Sequence, residues 1–193
     1  MLTKYQFVLF FIIILGCQTS PKPKSDEVAS TSKRTNVVLI VVDTLRSDHM
    51  GLYGYYRDTT PHLDRWFGGE QVFTHAYSPI SFTPPAMASL LSGLYPQHHR
   101  VRMAFQKFPN GVPVLPDYLS EYGYQTAAVI SNMVLTHEAM GLGNRFDYFD
   151  DFVDRKIPIR NAYERNAKET TDAALEWLEK IQTVDEPHFV WLH

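Results

Sequence analysis

The chain has 193 residues and a formal net charge of -3, with 18 Lys and Arg against 21 Asp and Glu. That balance argues against a nucleic-acid partner, which demands a basic face. One cysteine excludes an internal disulfide, and 45% apolar residues over this length suffice for one folded domain.

In chain order, Met1-Leu-Thr-Lys4, the apolar residues 7–15 and Gly16-Cys17 form an export signal. Its start is basic, a small residue marks the processing point, and its apolar run falls short of the roughly 20 residues that span a bilayer. Ile14-Leu-Gly-Cys17 resembles a bacterial lipobox, in which Cys17 is lipidated and becomes the mature N-terminus; the other reading is an ordinary signal beside an idle cysteine. A lipid at Cys17 is an anchor rather than a span, and implies a cell-envelope protein facing the periplasm or the exterior. Residues 18–35 are rich in Ser, Thr, Pro and Lys, with Val28 as the one large apolar side chain. Such a segment cannot bury enough surface to order itself and is expected to be a disordered tether.

Residues 36–42 are continuously apolar after Asn36, the pattern of a strand covered on both faces. Residues 125–130, entered through Tyr122-Gly-Tyr124, and residues 187–192 repeat the pattern. Helical patterns lie between them at 86–91, closed by Ser92-Gly93, at 114–122 and at 162–181, the last with Leu175, Leu178 and Ile181 at helical spacing. Strands alternating with helices predict an α/β fold with a parallel sheet flanked by helices and right-handed crossovers.

Ligands collect beyond the carboxyl ends of such strands, which is where Asp43, Ser131 and Asn132 fall. Asp43 serves there either as a cap for the next turn or as an oxygen ligand for a hard cation. Thr83 precedes Pro84 and Pro85, which are tolerated only in a first helical turn, so a helix begins at this point with its free N–H groups and positive end near the hydroxyl. Thr83 is then either a plain N-terminal cap or a nucleophile that requires a base or a metal for activation. A cation shared with Asp43 supplies that activation.

The opening segment, with Val42-Asp-Thr-Leu-Arg-Ser-Asp-His-Met-Gly-Leu-Tyr-Gly-Tyr55 and Thr60-Pro-His-Leu63, resembles that of the sulfatase family within the alkaline-phosphatase-like superfamily. Ser81-Phe-Thr-Pro-Pro-Ala-Met-Ala-Ser-Leu-Leu-Ser-Gly-Leu-Tyr-Pro96 is similar to its nucleophile helix. Glu121-Tyr-Gly-Tyr-Gln-Thr-Ala-Ala128, Phe146-Asp-Tyr-Phe-Asp150 and Thr171-Asp-Ala-Ala-Leu-Glu-Trp-Leu178 follow in family order, so the resemblance covers residues 36–193.

The resemblance implies an alkaline-phosphatase-like fold and a sulfuric or phosphoric ester hydrolase. Asp43 and Thr83 become metal ligands, with Ca²⁺ ahead of Zn²⁺, Mg²⁺ or Mn²⁺, and Thr83 the catalytic nucleophile. Thr44 stands where a second metal-binding aspartate is usual. A secondary alcohol cannot be oxidised to formylglycine, so the threonine-using phosphodiesterases and phosphotransferases of the superfamily are the nearer chemical comparison. Ser131-Asn132 replace the family's lysine and histidine, and Asn132 is either a donor to a nonbridging substrate oxygen or a turn residue. His98 and His99 are expected to be surface or packing residues, and Arg46, Asp48 and His49 to form a solvated turn.

In relatives the strand resembling residues 189–193 runs on into an Asp-Pro-His segment, and later residues complete the metal site. The resemblance thus implies a truncated catalytic domain that is inactive by itself on a small-molecule, glycan or lipid ester. A lipid-anchored, non-catalytic interaction module is the rival reading.

Overall fold

In the computed structural model of the chain the described residues are 34–158, 162–182 and 185–193. The expected export signal, Cys17 and the expected tether as far as Lys33 lie outside them. The tether's last two residues are fastened to the folded unit: the Arg34 guanidinium donates to the carbonyl of Tyr122, and Tyr124 Oη donates to the carbonyl of Thr35 at 3.0 Å.

The elements in chain order are β1 (Val37–Ile40), α1 (Pro61–Phe67), α2 (Thr83–Ser92), α3 (Pro96–His99), α4 (Leu115–Glu121), β2 (Gln125–Val129), α5 (His137–Met140), β3 (Tyr148–Asp150), β4 (Arg155–Ile157), β5 (Ala162–Glu164), α6 (Ala167–Ile181) and β6 (His188–Leu192). Four strands form a sheet in the order β1-β6-β2-β3 with every pair parallel, and β4 and β5 form an antiparallel hairpin. The expected parallel α/β architecture is therefore present.

Alternation along the strands sorts the side chains onto two faces. One face carries Phe189 and Trp191 of β6 and Ala128 of β2, packed with Ala88 and Leu91 of α2 and with Leu119 of α4. The other carries Val190 and Ala127 against Trp177, Leu178 and Ile181 of α6. Phe189 and Trp191 are fully buried, and burying a side chain of that size contributes about 1.5–3 kcal/mol.

Two expectations are corrected. β1 is closely packed on one face only: Leu39 and Val41 pack on the α2-side core, while Val38 and Ile40, 52% and 56% exposed, line an open cavity with Met50, Leu63 and Phe67. The reason is position, since α6 packs on β6 and β2 and stops short of the sheet edge that β1 occupies. The second correction concerns 162–181. Residues 162–164 are strand β5, and α6 starts only at Ala167. Asn166 caps it, Oδ1 accepting from Glu169 N at 2.9 Å while Glu169 Oε2 accepts from Asn166 N at 3.3 Å. This capping box fixes the helix start.

Candidate active site

Asp43 and Thr83, forty residues apart in sequence, meet at the carboxyl ends of the strands. Thr83 Oγ1 lies 3.0 Å from Asp43 Oδ2 and 3.3 Å from Oδ1 and donates to the carboxylate. Both side chains are half-buried.

Local structure explains each. Asp43 follows β1, whose pairing with β6 persists to Val41, its N–H donating to Leu192 O at 2.8 Å. The chain then turns sharply at Thr44, which is held at φ 58°. Left-handed backbone is strained for a β-branched residue, and such outliers concentrate at functional sites. Thr83 is the first residue of α2, and the extended Phe82 stands before it as the cap. The threonine is not the side-chain cap of its helix, because its hydroxyl is engaged with Asp43.

One expectation about this terminus changes. Pro84 and Pro85 have no N–H, and the N–H of Ala86 already donates to Phe82 O at 3.1 Å. Few free backbone donors remain in the first turn, so what the helix offers the hydroxyl is its field rather than a cradle of N–H groups. At the other end Gly93, at φ 69°, closes α2 by donating to Ser89 O at 2.9 Å. That conformation suits a glycine.

Asn132 lies on the same rim, three residues beyond β2, and Ser131 N donates to His193 O at 3.0 Å. Asn132 caps the short turn Met133–Leu135, which packs on α2. Its Oδ1 accepts from Val134 N at 3.1 Å. The turn role is therefore filled by the carbonyl oxygen of the side chain, and the amide nitrogen has no protein acceptor among the described residues.

The remaining candidates fall as expected. His99 is fully buried, its Nε2 is 2.9 Å from Ser89 Oγ, its Nδ1 accepts from Val101 N at 3.1 Å, and it stacks on Phe108. Burial holds its pKa below the ordinary histidine value. His98 is exposed. Arg46 grips Asp48 through two bonds of 2.9 and 2.6 Å, and His49 Nδ1 lies 3.0 Å from the same carboxylate, all on an exposed turn.

Two rim residues escaped the sequence reading. Arg165 is buried, with Nη1 donating to Asp150 Oδ1 and Nη2 to Ile130 O, both at 3.0 Å, while its backbone N donates to Ser131 O at 2.9 Å. It ties the β4–β5 hairpin to the ends of β2 and β3. His193, just past β6, is 6% exposed. The inward alternation Phe189, Trp191 was the signal that could have found it, since His193 is the next position on that face.

Asp43 and Thr83 are oxygen donors at one point, the donor type that suits a hard divalent cation. Among the described residues no group of three or more His, Cys, Asp or Glu could hold a metal ion.

A parallel sheet flanked by helices, with a hydroxyl at a helix start facing a strand-end carboxylate, is the arrangement that the resemblance to the alkaline-phosphatase-like class implied. The family model described as Sulfatase matches residues 35–193, and the chain belongs to that family. It is 39% identical over 67 residues to arylsulfatase A of Homo sapiens, covering 35% of this chain and 13% of that protein. It is 29% identical over 122 residues to an N-acetylgalactosamine-6-O-sulfatase of Bacteroides thetaiotaomicron, covering 61% and 23%. The solved structure of BT4656 with its substrate D-glucosamine-2-N,6-O-disulfate superposes with a TM-score of 0.68 at 21% identity, over 83% of this chain and 34% of that one. The chain thus spans about a third or less of the length of these relatives.

Proposed function

We propose that this chain supplies the nucleophile and the first metal ligand of an exported hydrolase of sulfate or phosphate esters. The reading rests on one observation, the 3.0 Å contact of Thr83 Oγ1 with Asp43 Oδ2 at the strand ends. Family membership supports the ester-cleaving class, and the sulfated sugars in the names of the relatives favour a glycan ester over a lipid one.

Asp43 and Thr83 would hold the metal, with Ca²⁺ the first choice; once bound, a divalent cation supplies charge that favours the Thr83 alkoxide and polarises the ester oxygen. The hydrogen bond to Asp43 restrains the rotamer of Thr83 and leaves the lone pairs of Oγ1 for the electrophile. In-line attack forms the bond from Oγ1 to sulfur or phosphorus and breaks the bond to the leaving alcohol, which departs with a proton. Water then cleaves the threonyl ester and restores the hydroxyl. The positive end of α2 favours the anionic ester in front of Thr83, and the amide nitrogen of Asn132 would donate to a nonbridging oxygen.

Paired aryl sulfate and aryl phosphate assays of the full-length protein, with Ca²⁺, Mg²⁺, Mn²⁺ and Zn²⁺ added singly, test this. Thr83→Ala should abolish turnover and Asn132→Ala should lower kcat by about 10²-fold, the scale of losing one oxyanion donor. Turnover retained in Thr83→Ala removes it as the nucleophile. Residues 34–193 prepared alone should be inactive, since hard cations take about six ligands and two are supplied here. Cys17 is the proposed lipid attachment point, so Cys17→Ser should move the protein from the membrane fraction to the soluble one; unchanged fractionation argues against the anchor.

A further inference from the structure

Buried polar groups without partners are rare in folded proteins, and each requires an explanation. Among the described residues both ring nitrogens of His193 are buried without a hydrogen-bond partner, as is Nε1 of the neighbouring Trp191. An unsatisfied imidazole is a cost to stability, and such costs are retained where they serve a site.

The placement of His193 indicates which site. Its backbone extends the ladder of β6, with N donating to Val129 O at 3.0 Å and O accepting from Ser131 N at 3.0 Å. The register Ile40↔Leu192 puts His193 opposite Val41, two residues before Asp43. Residues 189, 191 and 193 share one face of β6, and Phe189 and Trp191 already lie on the face that carries α2. The imidazole therefore stands on the side of the sheet that carries α2, the helix that begins with Thr83, braced edge-on by Trp191 at 6.0 Å between ring centroids.

We propose that His193 is a positioning residue for the Asp43–Thr83 site, its ring N–H orienting the Asp43 carboxylate through one bridging water. No direct bond joins the two side chains, and a bridging water is the ordinary link between polar groups beyond direct hydrogen-bond reach. Burial holds the imidazole below its ordinary pKa, while the charge of Asp43 acts in the opposite direction, so the two groups share one electrostatic environment. Neutral imidazole has one donor to offer. Partners that orient a ligating carboxylate typically change metal affinity 10- to 100-fold when removed.

The inference rests on the reading of Asp43 and Thr83 as metal ligands, and the test separates the two. Mn²⁺ alone is titrated into the full-length protein with free Mn²⁺ read by electron paramagnetic resonance, alongside the thermal midpoint of each variant. His193→Leu should weaken Mn²⁺ about 10- to 100-fold with an unchanged or raised midpoint, because the orphaned nitrogens are gone. His193→Gln, which keeps an N–H, should restore most of the affinity. Equal affinity in wild type and His193→Leu overturns the proposal, as does weakening in both variants together with a lowered midpoint, which would mean packing alone. No Mn²⁺ binding by wild type instead sinks the Asp43–Thr83 reading, and this proposal with it.

Discussion

Single side chains at the buried end of α2 set how the fold responds to pH. Val101 N–H donates to His99 Nδ1, so the proton of neutral His99 sits on Nε2 and is donated to Ser89 Oγ. Protonating Nδ1 breaks the first bond inside the core, and burial depresses the pKa accordingly. The sign follows from linkage. Above the ordinary value near 6.5 the ring is neutral folded and unfolded, and stability is indifferent to pH. As pH falls below that value the unfolded chain takes a proton that the fold refuses, so stability declines until the folded ring titrates as well. Urea midpoints should therefore fall between pH 8 and pH 5.5, with a smaller decline in His99→Gln; His188 and His193, shifted the same way by burial, account for the remainder. A wild-type midpoint independent of pH over that range contradicts the assignment. Ser89→Ala should cost about 1–3 kcal/mol by leaving Nε2–H unpaired in the core.

The β4–β5 hairpin is joined to the rim by a backbone bridge between Glu164 and Asn132 and by one buried cation. Arg165 neutralises Asp150 and satisfies the end of β2 through Ile130 O. Arg165→Met should destabilise by about 3–5 kcal/mol by stranding the Asp150 carboxylate, whereas Asn166→Ala one position on should cost only about 1 kcal/mol of helix capping. Comparable losses in the two variants, measured by chemical denaturation, would show that the ion pair contributes little. The contrast also marks what the sequence could reveal. Residues 125–130 and 187–192 were legible because a strand buried on both faces needs an unbroken apolar run, and α2 was legible from its prolines and Ser92-Gly93. The start of α6 was misread because the helical spacing of Leu175, Leu178 and Ile181 was extended backward past Asn166-x-x-Glu169. Arg165 was invisible for a different reason: nothing local distinguishes a buried arginine from a solvated one until the sheet supplies Asp150. At the site, Asp43 and Thr83 could be placed on one rim from strand ends and helix starts, but their contact depends on how α2 seats on the sheet.

For the folded unit as a whole, the sheet is asymmetric. β1 has no partner on its outer edge among the described residues, and Val38, Ile40 and Val42 are exposed on its loosely packed face. An apolar edge of this kind templates pairing with another chain. Residues 34–193 prepared alone should self-associate at micromolar concentration, and Ile40→Lys should reduce the light scattering; a dispersed wild-type segment would mean the edge is already protected. The point at which the chain enters has a separate consequence. Arg34 and Thr35 are secured beside Tyr122 and Tyr124, ahead of β2, whereas Asp43 and Thr83 lie past the far ends of the strands. Six residues of extended chain, from Val37 to Asp43, put these two poles about 20 Å apart. The chain therefore enters the folded unit at the ends of the strands opposite the rim that carries Thr83.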